Sequence, residues 1–375
     1  MLEGVPSTIH DWVANVVALL WPGAHVGLIE ELQPDASERR YWRVRIVDEQ
    51  GRAPASAVVA YLGVHDLPAY ARALKLLPEP LPEALYLNVN RFLREIGVAV
   101  PEVYYAKQLK PAPARHGPVD REAIEESRLV LVEDVGELSL LDAAREKPER
   151  APELFRKAID ELVRFHVDGT KRRDSRCFAF SVAYDERLFA YEMQEFIDYG
   201  MSALKLDADP SKLRSETAQL ATQLGGLERV FSHRDYHGYN LFVQEDGKIR
   251  ILDFQDALLA PPVQDLAVML TTRDTCEVVD PLLEADLLAY YLNRAKRRAK
   301  ELSLGAFESV EPASFLEQYR LAVLQHALKA IGRFARLIKV GKTRYAKYLP
   351  FSVSQARRML DCSDDFPCLR TALCG

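Results

Sequence analysis

The stretch FSHRDYHGYNLFV, residues 231–243, places an acid and an amide five positions apart, at Asp235 and Asn240. A second apolar run follows and ends in another acid, Asp253, within KIRILDFQDA, residues 248–257. Apolar runs of this length, rich in β-branched and aromatic residues, are typical of short strands. The polar residues stand where those strands would begin and end, so the chemistry of the chain depends on whether they meet in space.

A β-hairpin would bring the three side chains together. Asp246-Gly247 lies between the two apolar runs, and this dipeptide is typical of the tight turn of a hairpin. Paired strands lie about 4.8 Å apart, so the outer ends of both strands are neighbours. Asn240 begins the first strand and Asp253 ends the second, while the preceding loop carries Asp235 to the same end. The sequence therefore predicts three oxygen-bearing side chains converging on one point.

The chemistry of this set is that of phosphoryl transfer. One carboxylate and one amide oxygen suit Mg²⁺, which keeps its other positions for water and phosphate oxygens, so Asn240 and Asp253 are predicted metal ligands. The second carboxylate, Asp235, is then left to orient and deprotonate an attacking hydroxyl. Protein kinases use the pattern H-R-D-x-x-x-x-N followed by D-F-G. This chain has HRDYHGYN and DFQ, so the glycine is absent.

Two residues near this set are expected to support its shape. His233 is expected to be buried and to shape the loop, without a part in catalysis. Asp265 lies in PPVQDLAVML, residues 261–270, just before an apolar helix. Two interpretations of Asp265 stay open, because it could be the N-cap of that helix or an anchor of the catalytic loop.

The composition bounds the class of protein. At 375 residues the chain exceeds the usual size of one domain, so two domains or lobes are expected. Hydrophobic residues at 48% and charged residues at 28% are typical of a globular chain with an ample core. The net charge of −6 argues against a nucleic-acid partner. Basic clusters at 170–176 and 293–300 are therefore expected to be solvated faces.

Membrane and redox signals point to a cytoplasmic protein. No apolar run reaches the ~18 residues of a membrane span, so no membrane partner is expected. The N-terminal segment 7–21 predicts an amphipathic helix capped by Ser7 or Thr8, and not a signal peptide. The 5 cysteines include no CxxC pair, which favours free thiols in a reducing cytoplasm over a zinc site.

The pattern of elements changes about a third of the way along the chain. Strand-like segments at 26–32, 40–47, 56–63, 102–109 and 128–134 surround one helical segment, 84–97. Later segments are helical in pattern, notably 152–169, 187–204, 215–227 and 314–340. The prediction is an α+β protein of two lobes, a small β-sheet N-lobe at 1–134 and a larger helical C-lobe at 135–375. A ligand is expected in the cleft between them.

With these residues in place, the chain resembles the aminoglycoside phosphotransferase and choline kinase superfamily, which has a two-lobed protein-kinase-like fold. Within that superfamily it is most similar to the bacterial anomeric N-acetylmuramate/N-acetylglucosamine kinases of cell-wall recycling. The matching stretches follow the same order along most of the chain: DASERRYWRV (35–44), FLREIGVAVPEVY (92–104), LVEDVG (131–136), LDFQDALLAPPVQDLA (252–267) and LQHALKAIGRFARL (324–337).

The resemblance implies a role for each matching residue, with ATP and Mg²⁺ as cofactors. Asp235 would be the catalytic base, and Asn240 and Asp253 the Mg²⁺ ligands. The segment VEDV, residues 132–135, would be the hinge whose backbone hydrogen-bonds adenine, or else a plain connector between the lobes. Its cofactor-binding residues would be Glu133, Asp134 and Val135.

The segment PDASERRY, residues 34–41, would cover the ATP phosphates. It contains no glycine, so the phosphate contacts would come from backbone N–H groups and from Ser37, Arg39 and Arg40. An exposed turn is the alternative for this stretch.

One feature of protein kinases is missing. They pair a lysine on the third strand with a glutamate on the following helix. Here the segment 56–63 has no lysine and carries Tyr61 near that place, while the helical segment 84–97 has asparagines where the glutamate is sought. An arginine from RRYWRVR, residues 39–45, could serve the phosphates instead; Arg43 or Arg45 facing solvent is the alternative.

The acceptor is expected to lie near the catalytic loop. Candidate contacts are the residues next to the catalytic acids, each of which could instead be a solvent-facing loop residue: Tyr236, His237, Gln255 and Asp256. Gln and Asp together suit a sugar with hydroxyls and an amide. A polycationic acceptor would need clustered acids, and one predicted helix offers candidates that could equally be surface charge: Glu192, Glu195 and Asp198.

The sequence thus predicts an ATP- and Mg²⁺-dependent kinase of a small molecule, acting as a monomer or weak dimer. The favoured acceptor is the anomeric hydroxyl of an amino sugar such as N-acetylmuramate or N-acetylglucosamine. Another small alcohol, an aminoglycoside, a choline-like compound or a different sugar, is the first alternative. The second is a nucleotide-binding pseudokinase that regulates a partner, which the combination of base and metal ligands disfavours.

Overall fold

The computed structural model describes residues 5–32, 39–63, 67–78, 81–107, 124–305, 307, 309–362 and 364–375. Within these residues the N-terminal lobe contains a five-stranded antiparallel sheet in the order β1-β2-β3-β5-β4. The strands are β1 (His25–Leu32), β2 (Arg40–Val47), β3 (Ser56–Tyr61), β4 (Val103–Ala106) and β5 (Leu129–Glu133). The predicted strands are confirmed, although the third, fourth and fifth are shorter than expected.

The helices of this lobe are α1 (Ser7–Leu20), α2 (Ala69–Ala73) and α3 (Leu85–Glu95). The predicted N-terminal helix is confirmed, but its predicted cap is wrong. Pro6 occupies the N-cap, and no side chain hydrogen-bonds the first turn of α1. The fixed φ of proline sets the chain direction at the helix start without a cap, which leaves Ser7 and Thr8 inside the helix.

The two faces of the sheet have different partners, because side chains alternate along a strand. Trp42, Val44 and Ile46 of β2 face α1 and form one buried cluster with it. On the opposite face, Tyr41 and the β3 residue Ala60 belong to a second cluster. This second face is the one turned towards the C-terminal lobe, because Tyr86 of its cluster packs on Phe254 of that lobe.

The C-terminal lobe is mostly helical, as predicted. Its helices are α4 (Leu140–Glu146), α5 (Ala151–Val163), α6 (Gly169–Arg172), α7 (Glu186–Glu195), α8 (Met201–Leu204), α9 (Pro210–Gly225), α10 (Pro262–Thr271), α11 (Pro281–Glu301), α12 (Pro312–Lys339), α13 (Leu349–Leu360) and α14 (Pro367–Cys374). The predicted boundary at 134/135 stays a prediction, although β5 ends at Glu133.

Four short strands lie next to the predicted catalytic and metal-binding residues, Asp235, Asn240 and Asp253. They are β6 (Val230–Ser232), β7 (Leu241–Val243), β8 (Ile249–Ile251) and β9 (Leu258–Ala260). β7 pairs with β8 in antiparallel register, and Gly247 in the turn has a φ of 75°, which favours glycine. The predicted hairpin is therefore confirmed. β6 pairs with β9, so the predicted catalytic loop, residues 233–240, leaves one two-stranded sheet and enters another.

Two predicted long helices contain a π-helical turn, at Arg164–Asp168 and Phe196–Gly200. The second turn lies tightly against α12, because a Cβ added to Gly332 would come within 2.3 Å of the backbone nitrogen of Phe196. Across the described ranges, no helix has both the length and the apolar character needed to span a bilayer.

Candidate active site

Asp265 anchors the backbone of the catalytic loop. Its buried carboxylate accepts hydrogen bonds from the backbone N–H groups of His233 and Arg234, each at 2.7 Å. His166 Nε2 lies 2.9 Å from the same carboxylate. Since Pro261 is the N-cap of α10, Asp265 lies inside the helix, and of its two open interpretations the anchor holds.

His233 and Asn240 tie the loop to the end of the hairpin. His233 is fully buried, as expected; its Nε2 donates to the carbonyl of Leu252 at 2.9 Å while its Nδ1 accepts from the N–H of Asp235 at 3.3 Å. The Asn240 amide donates to the carbonyl of Asp235 at 2.9 Å. The N–H of Leu252 donates to the carbonyl of Asn240 at 2.8 Å. The loop and the segment that leads to Asp253 are therefore held together at one end of the hairpin.

Asp253 follows this segment in a left-handed backbone conformation, with φ 59°. A non-glycine residue held in this region costs on the order of 1 kcal/mol, and such positions cluster at functional sites. Its Oδ1 accepts from Arg39 at 2.8 Å and from Gln255 at 2.7 Å. The Asp253 side chain is 40% exposed, so its carboxylate remains open to the cleft.

Arg234 is the centre of a buried charge network beside the loop. It has a φ of 80°, and its guanidinium lies 2.7 Å from Glu192, 3.5 Å from Asp256 and 3.8 Å from the centroid of the Tyr70 ring. Lys329 lies 2.8 Å from the same Glu192. Burial raises the pKa of Glu192, but the charges of Lys329 and Arg234 outweigh it and lower that pKa to about 2.

The same cations act on the carboxylate of Asp235, the predicted base. Burial raises the pKa of Asp235, but the positive charges of Arg234 and Lys329 outweigh it, and the net direction is downward. The neighbouring Asp256 behaves in the opposite way, because burial and the nearby Asp235 raise its pKa despite Arg234. Asp235 is therefore an ionised carboxylate at neutral pH.

Of the three predicted phosphate-binding residues, Arg39 lies at the site. Its guanidinium contacts the Asp253 carboxylate, across 214 positions of sequence. Arg40 instead pairs with Glu31 at 2.8 Å, and its guanidinium lies 4.9 Å from the centroid of the Trp42 ring. Because neighbouring strand residues point to opposite faces, Arg40 is turned away from Asp253, contrary to the expectation. Ser37 lies outside the described residues.

The side chains of the predicted adenine hinge contact other residues. Asp134 forms a bidentate pair with Arg43, and Glu133 pairs with Arg250 at 3.1 Å. The carbonyl of Val135 accepts a hydrogen bond from Gln244 at 2.7 Å. These contacts stiffen the connection between the lobes. Binding of adenine by the backbone of residues 132–135 stays a prediction. Arg43 is buried by this pair and does not face solvent, whereas Arg45 is exposed.

An apolar contact occupies the place of the lysine–glutamate pair. Tyr61 faces the α1 side of the sheet, and the next residue, Leu62, packs in the apolar cluster on the cleft side. From α3, Tyr86 packs on Phe254, with ring centroids 5.1 Å apart. The cation nearest to the predicted metal ligand thus comes from Arg39 and not from β3.

A cavity of about 640 Å³ opens beside the catalytic loop. It is bordered by the loop, by the segment after α10, and by α12 and α13, through residues that include His237, Asn240, Arg273, His326, Phe334 and Tyr348. His237 is the predicted acceptor residue that lines it. Asn240 was predicted as a metal ligand. The remaining four had no predicted role in acceptor binding, because no local pattern connects the segments near 273, 330 and 348.

Two other predicted acceptor residues face elsewhere. Tyr236 is fully buried, and its hydroxyl donates to the carbonyl of Ala158 at 2.8 Å, so it has no surface for an acceptor, contrary to the expectation. Gln255 is buried and donates to Asp253, so it orients that carboxylate. Asp256 remains beside Arg234, with its Oδ1 buried and without a hydrogen-bond partner among the described residues.

The acids considered for a polycationic acceptor are already paired. Glu192 is neutralised by the buried network, and Glu195 lies 2.6 Å from Arg336. Asp198 accepts a hydrogen bond from Gln194 at 2.7 Å. These three side chains therefore do not form an acidic pocket.

The possible metal ligands are few and consist of oxygen atoms. No group of three or more His, Cys, Asp and Glu residues within the described ranges could hold a metal ion. The amide nitrogen of Asn240 donates a hydrogen bond to the carbonyl of Asp235, and no donor among the described residues bonds the Oδ1 of Asn240. One amide oxygen and one carboxylate remain at this point, which is the kind of donor set that Mg²⁺ accepts together with phosphate oxygens and water.

Comparison with known proteins gives two curated relatives. The chain is 28% identical over 336 residues to the N-acetylmuramate/N-acetylglucosamine kinase of Neisseria meningitidis serogroup B, which covers 87% of this chain and 83% of that protein. It is 30% identical over 233 residues to the protein of the same name from Caulobacter vibrioides. That second match covers 59% of this chain and spans only 60% of the length of the Caulobacter protein.

Solved structures show the same fold at low identity. The choline kinase from Cryptosporidium parvum Iowa II gives a TM-score of 0.56 at 12% identity, over 97% of this chain and 99% of that chain. Spectinomycin phosphotransferase, in complex with ADP and spectinomycin, gives 0.53 at 12% identity, over 93% of this chain and 98% of that chain. The two-lobed fold is thus confirmed. Residues 29–302 match the phosphotransferase enzyme family (APH), and the chain belongs to that family.

Proposed function

We propose that this protein is an ATP- and Mg²⁺-dependent kinase that phosphorylates a hydroxyl of a small molecule, with Asp235 as the catalytic base. The observation that carries the proposal is the loop geometry, in which Asp265 anchors the backbone and Asn240 joins the loop to the segment before Asp253. This is the arrangement of base and metal ligands that phosphoryl transfer requires.

The lowered pKa of Asp235 keeps its carboxylate ionised at neutral pH. A carboxylate of low pKa is a weak base, so its first contribution is to accept a hydrogen bond from the acceptor hydroxyl and orient it. Phosphoryl transfer passes through a loose transition state, and the hydroxyl becomes acidic only as its bond to phosphorus forms. Asp235 therefore takes the proton late, when even a weak base suffices.

The donor side involves Asn240, Asp253 and Arg39. Asn240 and Asp253 would hold Mg²⁺, which supplies neutralisation of the charge between the transferring phosphates. Arg39 lies 2.8 Å from Asp253 and is placed to bind phosphate oxygens with its planar guanidinium. We infer that Arg39 does the work of the absent third-strand lysine, and that the backbone of residues 133–135 holds adenine.

The proposed acceptor is an amino sugar, phosphorylated at its anomeric hydroxyl. Both curated relatives are named N-acetylmuramate/N-acetylglucosamine kinase. The cavity beside His237 combines aromatic rings with polar side chains, a lining that suits a sugar with an apolar face and several hydroxyls. Its size of about 640 Å³ is sufficient for one substituted hexose.

Other acceptors have less support. A polycationic aminoglycoside would need free acids, yet Asp274 is the single acid among the described residues that line the cavity, and it is paired with Arg273. A pseudokinase has no physical need for an ionised Asp235 placed beside two oxygen ligands. A sugar 1-phosphate is the activated form from which nucleotide sugars are made, so we propose a role in cell-wall recycling. We further propose that the protein acts in the cytoplasm, as a monomer or weak dimer.

The test is release of ADP from Mg·ATP with a panel of acceptors: N-acetylmuramate, N-acetylglucosamine, unmodified hexoses, aminoglycosides and choline. The expected result is turnover with the N-acetylated amino sugars, lost when Mg²⁺ is chelated. Turnover with another alcohol alone would keep the kinase chemistry and reject the amino sugar. No turnover with any acceptor, alongside ATP binding, would favour the pseudokinase.

A further inference from the structure

The cavity beside the catalytic loop has an aromatic wall. Phe334 of α12 packs on Tyr345 and Tyr348, with ring centroids 5.8 and 5.3 Å apart. The tyrosines belong to a 3₁₀ segment, Thr343–Tyr348, which connects α12 to α13. Three rings at one wall provide a broad apolar surface against which the face of a sugar ring can lie.

Polar atoms with unmet hydrogen bonds border the same cavity. Arg273 Nε, His326 Nδ1 and Gln355 Oε1 are buried, and none has a hydrogen-bond partner among the described residues. A buried polar atom without a partner costs free energy, on the order of 1–3 kcal/mol each, so such atoms point to a ligand that completes them. Three of them around one cavity indicate a polar ligand with several donors and acceptors.

The lining carries one cation, Arg273, beside one acid, Asp274, and further basic residues lie at the rim. Arg273 lies 2.9 Å from Asp274, while its Nε stays without a partner among the described residues. Arg145 also contacts Asp274, at 3.3 Å, but its closer partner is Glu277 at 2.7 Å. The guanidinium of Arg273 lies 5.1 Å from the centroid of the Tyr348 ring. At the rim, Arg344 and Lys347 stand over Tyr345 and Tyr348. Asp274 is the one acid among the described lining residues, so the basic rim residues make the mouth of the cavity attractive to an anion.

We propose that this cavity binds the carboxylate of an acidic amino sugar through Arg273, so that the protein prefers acceptors that carry a carboxylate over neutral ones. The inference rests on the proposed function, since it takes the cavity as the acceptor site. Arginine is suited to this role because its planar group binds both oxygens of a carboxylate. N-acetylmuramate is N-acetylglucosamine with an added lactyl ether, so the two sugars differ by one carboxylate-bearing group.

The test compares kcat/KM for N-acetylmuramate and N-acetylglucosamine in the wild type and in Arg273→Gln. We expect the wild type to prefer N-acetylmuramate, and Arg273→Gln to lower the ratio of the two kcat/KM values by about 10- to 100-fold, the worth of a charge-assisted hydrogen bond. Arg273→Lys keeps the charge and should restore part of the ratio. Arg344→Gln is the matched control, because it removes the same charge from the exposed rim.

Each outcome decides a separate claim. Turnover of both sugars with a ratio unchanged in Arg273→Gln overturns the carboxylate site and leaves the kinase proposal standing. An equal fall of the ratio in Arg344→Gln shows a general field of positive charge and also overturns the direct contact. If the wild type phosphorylates neither sugar, the proposed acceptor and this inference fail together. Matching thermal unfolding of all variants ensures that a lost activity is not a lost fold.

Discussion

Replacement of Asp265 by asparagine tests how the catalytic loop is held. The carboxylate accepts two backbone hydrogen bonds at 2.7 Å, from His233 and Arg234. Asparagine keeps one acceptor oxygen and turns an NH₂ group towards the second N–H. The change removes a charge-assisted hydrogen bond, worth about 1.5–3 kcal/mol, and leaves a buried N–H unmet, at a further cost of about 1–3 kcal/mol. We expect Asp265→Asn to lower the free energy of unfolding by about 3–5 kcal/mol.

The assay is urea unfolding together with kcat under conditions where the variant remains folded. Because the loop positions Asp235, kcat should fall even in the folded population. Asp160→Asn is the control: it removes the charge from a half-exposed pair with Arg294 at 2.7 Å, and pairs of this kind contribute about 1 kcal/mol or less. The asparagine oxygen can still accept the hydrogen bond that Tyr290 donates to Asp160 at 3.0 Å. If Asp265→Asn lowers the free energy of unfolding no more than Asp160→Asn does and leaves kcat intact, Asp265 does not anchor the loop.

Three further predictions follow from single contacts. Arg39→Ala should lower kcat/KM for ATP by about 10- to 100-fold, because a phosphate contact is lost; Arg40→Ala, which removes a pair with Glu31, should change it far less. Burial and the charge of Lys329 lower the pKa of His326 to about 4, from 6.5, so the unfolded state binds the extra proton and stability falls as pH drops from 6.5 to about 4. His326→Gln should remove up to about 3 kcal/mol of that fall in urea titrations, and an unchanged pH slope would contradict it. Gly332→Ala should cost about 3 kcal/mol or more, since the added Cβ would meet backbone atoms at 2.3 and 2.4 Å; an unchanged melting temperature would contradict this tight contact.

The part of the site predicted from sequence is the part built from local chain. Asp235, Asn240 and Asp253 lie within 19 residues of one another, and a hairpin turn with a recognisable dipeptide joins them. Strand geometry then determines which ends are neighbours. The sheet of the N-lobe was predictable for the same reason, because alternation and turn residues are local signals.

The contacts that sequence reasoning missed join distant segments. Arg39 and Asp253 are 214 positions apart, and no local pattern distinguishes Arg39 from Arg40. The direction of a loop side chain is equally hidden, so Tyr236 was expected to meet the acceptor although it is buried against α5. Arg273 and the aromatic wall meet only because α10 and α12 pack side by side. Such packing depends on the whole core, and not on the residues near the motif.

The pairing of charges also could not be predicted from the sequence. Glu192 looked like a free surface acid on a predicted helix, but it lies between Arg234 and Lys329. Because Glu192 is buried and paired, it is not available to bind a cationic acceptor, and it instead holds Arg234 of the loop. The missing third-strand lysine was visible in the sequence, and an arginine from residues 39–45 was considered as its replacement. The contact of Arg39 with Asp253, which distinguishes Arg39 from the other arginines, is visible only in the structure.

The role of Asp235 in anomeric phosphorylation can be measured by phosphorus NMR of the product formed from Mg·ATP and N-acetylmuramate, in the wild type and in Asp235→Asn. We expect a sugar 1-phosphate from the wild type, and a rate about 100- to 10,000-fold lower from Asp235→Asn, with ATP binding retained. A phosphate on another hydroxyl would contradict the anomeric acceptor. The same product at an undiminished rate from Asp235→Asn would contradict the assignment of Asp235 as the base.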